Sequence, residues 1–192
     1  PAALLASFRG PAFGIDGLRA LCGATARRPL VMAALKPLGL SATGLAALAG
    51  RLAEGGIDVV KDDHSLCDQP FAPFAERVAR CQEAVEGANR GGRSCLYVPN
   101  LTGPADRLAE RVERLRRLGV RAALLAPLLV GLDTMRALAA TSGLALFAHP
   151  SLSGALLGRS HGFAPRVLWG DLFRLAGADG VIYPNAGGRF RF

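Results

Sequence analysis

The sequence predicts an α/β protein whose parallel strands are joined by helical crossovers. Three observations carry this. Short apolar runs alternate with longer segments of helical period, glycines stand just past the last periodic residue of several helices, and the polar residues able to do chemistry gather where the apolar runs end. Right-handed crossovers at this spacing build either a doubly wound sheet or a (β/α) barrel.

The first strand-like run, 30–35, is Leu-Val-Met-Ala-Ala-Leu, and a helical period over 42–53 follows it, with Ser41 as N-cap and Gly55-Gly56 as the stop. The second run, 57–60, precedes a helix predicted over 73–86. The third, 95–98, precedes one over 105–118, with Pro104 at its first position and Gly119 past its end. Glu and Arg recur three and four residues apart between Arg107 and Arg117, the pattern of a solvated helix face. Runs at 122–126, 144–148 and 181–183 complete six strands, separated by helices over 132–141, closed by Gly143, and 165–175, which lies behind an irregular stretch.

At 192 residues, 51% hydrophobic, with a mean hydropathy of +0.28, the chain suits one domain with a sizeable core and is not disordered. No apolar run reaches the roughly 18 residues of a membrane span. The first residues lack a basic segment followed by an apolar one, so no secretion signal is read and a cytoplasmic protein with no membrane partner is expected. Four cysteines without metal or redox spacing are read as reduced thiols. The net charge of +8 is spread along the chain and mixed with acids, so no nucleic-acid partner is expected. Of the 23 basic residues only Lys36 and Lys61 are lysines.

Both lysines end apolar runs. In parallel α/β folds the site is built at those ends, which here carry Lys36, Lys61-Asp62-Asp63-His64, Asn100, His149 and Tyr183. A lysine in a partly desolvated strand end has a lowered pKa and serves as a base or a Schiff-base amine; the bland alternative for Lys36 is a side chain snorkelling to the rim. Strand alternation puts Lys61 and Asp63 on one face, and carboxylate oxygens suit Mg²⁺, although the segment also reads as a self-neutralising turn. His149 is a site residue or a structural histidine, and His161 is open in the same way. Asn185-Ala-Gly-Gly-Arg189 is a glycine-rich turn with free N–H groups and an arginine, suited to a phosphate.

The order Lys36-Pro37-Leu38-Gly39-Leu40-Ser41, then Gly55-Gly56-Ile57-Asp58-Val59-Val60-Lys61-Asp62-Asp63-His64 with Asp68-Gln69-Pro70-Phe71, resembles the barrel domain of the RuBisCO large chain, and most of all the RuBisCO-like, form IV, proteins. Phe8-Arg9-Gly10-Pro11-Ala12-Phe13-Gly14-Ile15 is similar to the segment leading into that barrel. His161-Gly162 with Arg166-Val167-Leu168, and Tyr183-Pro184-Asn185 with Gly187-Gly188-Arg189-Phe190, match further stretches. The resemblance implies a (β/α)8 TIM-barrel type with about six of eight βα units in this chain, divided into a lead-in over 1–29 and a partial catalytic barrel over 30–192. The chain is thus expected to be part of a longer protein.

Residue by residue, the resemblance implies Lys36 as the base that forms an enediolate and His149 as a catalytic histidine. It implies Lys61, in carbamylated form, as a Mg²⁺ ligand with Asp63 and with His64 at the next position. Asn100, Tyr183, Asn185, Gly187, Gly188 and Arg189 become substrate contacts. A carbamate needs a primary amine that can lose its proton, which arginine cannot supply. Departures matter as well. His64 stands where the family pattern has a glutamate ligand, Leu38 replaces a lysine, Pro150 a phosphate-gripping arginine, Ser153 a histidine, and Tyr183 another histidine.

Ribulose-bisphosphate carboxylation needs those groups together, so none is expected. The implied activity is Mg²⁺-assisted enolisation of a phosphorylated ketose, an isomerase or tautomerase of the methylthio-pentulose phosphate type, in a homodimer. The alternatives are a decarboxylase of a branched sugar-acid phosphate, a Schiff-base aldolase using Lys36, and a non-catalytic homologue.

Overall fold

The computed structural model describes residues 2–24, 28–157 and 162–183. Six parallel strands follow one another in chain order: β1 (Met32–Ala34), β2 (Val59–Lys61), β3 (Leu96–Val98), β4 (Ala122–Leu125), β5 (Ala145–Ala148) and β6 (Gly180–Val181). They pair as β1-β2-β3 and β4-β5-β6. A parallel bridge between Asn100 and Leu124, with the Leu124 N–H donating to Pro99 O at 2.8 Å, carries the order from one half to the other.

Strand residues alternate between two apolar layers, as the pleat requires. Val60, Tyr97, Ala123, Leu125 and Leu146 face the large core under the crossover helices. Val59, Leu96, Val98, Leu124 and Phe147 face a second, inner cluster. The crossovers are α3 (Ala42–Glu54), α4 (Phe74–Arg90), α5 (Leu108–Arg117), α7 (Leu132–Thr141) and α8 (Phe173–Leu175). Ser41 caps α3 as the sequence predicts, its Oγ accepting from the Gly44 N–H at 3.2 Å.

Two helix boundaries are corrected. Pro104 is not a first helical residue: with ψ of 139° it stands outside a 3₁₀ turn, Ala105–Arg107, that leads into α5. The segment predicted as one α-helix over 165–175 is a π-helix, Arg166–Leu172, followed by α8. The Arg/Glu face of α5 is solvated as expected, with ion pairs Arg107–Glu110 at 3.3 Å and Arg116–Glu113 at 2.6 Å, but Arg111 turns inward and is buried. The four cysteines are unpaired thiols. Among the described residues no helix is long and apolar enough to cross a membrane.

Three helices are not predicted from the sequence: α1 (Ala2–Ala6), α2 (Gly14–Leu21) and α6 (Pro127–Val130). Of these, α2 matters most, because Leu18 and the following Cys22 close the inner cluster from the end opposite the site. Asp179 fixes it there. One carboxylate oxygen accepts from Phe13 N (2.6 Å) and Gly14 N (2.9 Å), and the other from Leu146 N (2.8 Å). At the same end Asp58 accepts two hydrogen bonds from Arg28, at 2.6 and 2.7 Å, and one from Val31 N at 2.8 Å. These carboxylates satisfy backbone donors where the strands begin.

Candidate active site

The strand register sets the site. Ala34, Lys61 and Val98 are level across β1, β2 and β3, so Lys36, two residues beyond Ala34, and the segment after Lys61 leave the sheet at the same end. The ladder continues past β1, with Leu35 N–H donating to Lys61 O at 2.9 Å. His149 follows β5, its N–H donating to Leu125 O at 2.8 Å. Lys61 and Asp63 share one face, while Asp62, between them, points toward α4, as alternation predicts.

The desolvated lysine is Lys61, which corrects the expectation for Lys36. Lys61 is 8% exposed, and its Nζ donates to Asp62 O at 3.0 Å. Burial holds its amine below the usual lysine value; the Asp63 and Asp62 charges oppose this, and Lys36 adds to it. The Lys36 side chain is 65% exposed and leans over the mouth, with Nζ 2.5 Å from Asp63 Oδ2. Burial alone would raise the Asp63 carboxyl. The Lys36 ammonium, the Ser65 N–H at 2.9 Å and the His64 ring outweigh it and hold Asp63 down at about 2.

His64 and His149 stack face to face, with ring centroids 4.2 Å apart and planes 12° apart, and His64 Nδ1 lies 3.5 Å from Asp63 Oδ1. His149 Nδ1 shares a hydrogen bond with Ser151 Oγ at 2.7 Å. Burial, then the facing His64 and Lys61, push the His149 imidazole down to about 4 against the pull of Asp63, so the ring is neutral at pH 7.

Asn100 is corrected too. It is 1% exposed and lies beneath the mouth, not in it. Its Nδ2 donates to His64 O (2.8 Å), its Oδ1 accepts from Thr102 N (3.1 Å), and its own N–H donates to Asp62 Oδ2 (2.9 Å). Tyr183, half exposed after β6, meets the Trp169 ring edge-on at 4.8 Å. His161, Asn185, Gly187, Gly188 and Arg189 lie outside the described residues.

Sequence reasoning missed the support under this cluster. Asp62 and Arg77 are both fully buried and paired at 3.1 Å, and Tyr97 Oη donates to the second Asp62 oxygen at 2.9 Å. Burial pushes the Asp62 carboxyl up against the opposing charge of Arg77 and the donors from Asn100 and Tyr97, and it pushes the Tyr97 hydroxyl well above 10, so that hydroxyl stays a donor. The available signal was an arginine inside the apolar stripe Phe74, Val78, Cys81, Val85 of α4.

A divalent cation can be tested against these donors. Among the described residues the buried Asp63 Oδ2 meets the Lys36 ammonium, and with that pair released it has lone pairs to offer. Beside it stand two lysines, which with unmodified amines oppose a cation. Among the described residues no three His, Cys, Asp or Glu side chains are grouped to hold a metal. The donor set fits Mg²⁺ once Lys61 is converted from amine to carboxylate, because two oxygen-bearing anions then face one ion.

A family model described as the catalytic domain of the ribulose bisphosphate carboxylase large chain matches residues 14–190. The 5-methylthioribulose-1-phosphate isomerase of Rhodospirillum rubrum is 47% identical over 195 residues, covering 100% of this chain and 50% of its own. A 2,3-diketo-5-methylthiopentyl-1-phosphate enolase of Microcystis aeruginosa is 41% identical, covering 93% and 47%. Among solved structures, a Rubisco-like protein from Rhodopseudomonas palustris superposes with a TM-score of 0.93 at 44% identity, over 100% of this chain and 53% of that one. The octameric ribulose-1,5-bisphosphate carboxylase/oxygenase of Pyrococcus horikoshii gives 0.91 at 30% identity, over 100% and 46%. The chain spans about half the length of the relatives it matches.

Proposed function

The chain belongs to the RuBisCO large-chain family, and from that premise we propose that the protein enolises a phosphorylated ketose of the methylthio-pentulose type instead of carboxylating ribulose bisphosphate. The observation that carries this is the convergence of Lys36, Lys61, Asp63 and His149 from the ends of three strands, with Lys36 Nζ 2.5 Å from the Asp63 carboxylate and His149 stacked on His64. The names of its relatives, an isomerase and an enolase of methylthio sugar phosphates, support the substrate class.

In this reading Lys36 removes the proton α to the substrate carbonyl. Lys36 is exposed toward the mouth, where a substrate can reach it; once Asp63 is engaged elsewhere and the ion pair is released, the ammonium gives up its own proton to solvent, and the neutral amine then takes the α-proton. Lys61, desolvated and poor at holding its proton, first loses that proton to give the free amine, which reacts with CO₂; a C–N bond forms, a second proton leaves to solvent, and the neutral amine becomes a carbamate anion beside Asp63. Lys61 in that form and Asp63 would hold Mg²⁺, with His64 adjacent, and the ion would supply Lewis-acid polarisation of the substrate carbonyl. His149, neutral and held by Ser151, presents its Nε2 to hold or return a proton on the substrate. Asn185, Gly187, Gly188 and Arg189 take the phosphate and Tyr183 lies at the rim, whereas Asn100 supports the His64 backbone.

The exposed flank of β1, with Val31 49% and Met32 36% exposed, supports a barrel that two further βα units close beside β1 and β6. A homodimer is the assembly proposed for the whole protein, in the cytoplasm. The test is exchange of the α-proton of a bound ketose phosphate with D₂O, followed by NMR in the full-length protein with Mg²⁺. Exchange is expected, and Lys36→Met is expected to abolish it. Undiminished exchange in that variant removes Lys36 from the role of base.

A further inference from the structure

The segment between β2 and α4 carries Asp63 and His64, yet it has no helix or strand to satisfy its backbone. Its carbonyls at Leu66 and Ala72 are nevertheless on fully buried residues. A buried carbonyl needs a donor. One side chain supplies most of them. Arg77 donates from Nη1 to Ala72 O (2.8 Å) and from Nη2 to Leu66 O (3.2 Å) and Cys67 O (3.0 Å), while its Nε takes Asp62 Oδ2 (3.1 Å).

Four acceptors, all between residues 62 and 72, are thus held by one rigid guanidinium. The first of them is the backbone neighbour of both Lys61 and Asp63. Asp62 is fixed from two further sides by Tyr97 Oη and Asn100 N, and Asn100 also holds His64 O. Arg111 repeats the device at the outer turn, donating to Asp68 Oδ2 at 2.9 Å, and both guanidinium groups lie over the Phe74 ring, 5.6 Å (Arg77) and 4.6 Å (Arg111) from its centroid. A buried ion pair is a poor way to stabilise a core, because desolvation cancels most of its attraction. Its planar fork is a good way to fix a coil in one conformation.

We propose that Arg77 is a positioning residue for the reaction. Acting through Asp62 and the carbonyls of residues 66, 67 and 72, it sets where Lys61, Asp63 and His64 stand relative to Lys36. This rests on the enolisation reading for its activity readout but not for its structural one. Displacing reacting groups by about 1 Å can cost on the order of 100-fold in rate.

The experiment uses the full-length protein with Arg77→Lys, which keeps a cation on Asp62 but cannot reach all three carbonyls. Tyr97→Phe is the milder second variant, removing one bond to Asp62. Two quantities are read: D₂O exchange of the ketose phosphate as kcat and KM, and amide hydrogen exchange of the peptides spanning 62–72. For Arg77→Lys a fall in kcat of roughly 10- to 100-fold is expected with KM within about threefold, and faster amide exchange confined to 62–72. Tyr97→Phe is expected to show the same pattern at smaller size. Unchanged amide exchange in 62–72, or an increase spread evenly over the molecule in both variants, overturns the proposal. Wild-type protein without any substrate exchange refutes the enolisation reading alone, since the amide measurement stands by itself.

Discussion

The contact between Lys36 and Asp63 has a measurable dependence on pH. The fall of the Asp63 carboxyl from its ordinary 3.8 to about 2 sets a ceiling of roughly 2–3 kcal/mol on what folding gains from keeping it ionised. Lys36 is 65% exposed, so water and salt screen the pair, and about 1 kcal/mol is the reasonable magnitude. A carboxyl with a lowered folded-state pKa contributes its full stabilisation above the unfolded value and loses it as pH falls toward the folded one. The window is therefore about pH 4 down to pH 2. Urea unfolding of the protein, of Lys36→Met, of Asp63→Asn and of the double variant gives the coupling free energy by a double-mutant cycle. About 1 kcal/mol is expected at pH 7, shrinking toward zero at pH 2 and reduced by high salt. A coupling that stays constant across pH 5 to 2 refutes the assignment of the low Asp63 value to Lys36.

Two further outcomes are expected. Asp179→Ala removes a buried carboxylate that accepts three backbone N–H groups, so a loss of roughly 3–5 kcal/mol in urea unfolding is expected; a loss under about 1 kcal/mol would show that water replaces it. The His149 ring should be neutral at pH 6 and titrate near 4 by ¹H–¹⁵N NMR, and His64→Ala should move that titration upward, since His64 is an opposing charge second only to burial. Because the folded value is lowered, His149 favours folding above about pH 6.5, and that contribution declines as pH falls from there to 4. A His149 titration unmoved by His64→Ala would detach the stacked pair electrostatically.

The parallel order and the site-bearing strand ends were legible because both follow from short-range pattern. Short continuous apolar runs specify the strands, and alternation along Lys61, Asp62 and Asp63 specifies which side chains share a face. Which lysine is desolvated was not legible. Lys36 and Lys61 both end apolar runs, and only the register, which places Lys61 inside β2 and Lys36 two residues beyond β1, separates them. Asn100 was misjudged for a similar reason: position at a strand end does not tell whether an amide faces the mouth or braces a neighbouring carbonyl. Helix α2 was missed because Gly14 and Gly17 weaken its local propensity and its fold is imposed by Asp179, far along the chain. The π-helical turn at Arg166–Leu172 likewise has the same local apolar spacing as an ordinary helix.

The tie between Phe13 and Asp179 joins residues 166 positions apart. The helix that closes the inner cluster is therefore synthesised well before the carboxylate that fixes it. Closing a loop of that length is entropically costly and is compensated only when the strands between are in place. Leu18 and Cys22 are therefore fixed over the inner cluster by a contact that is available only once the segment carrying Asp179 has joined β5, so the seal at the end of the sheet opposite the chemistry depends on long-range closure and not on local propensity.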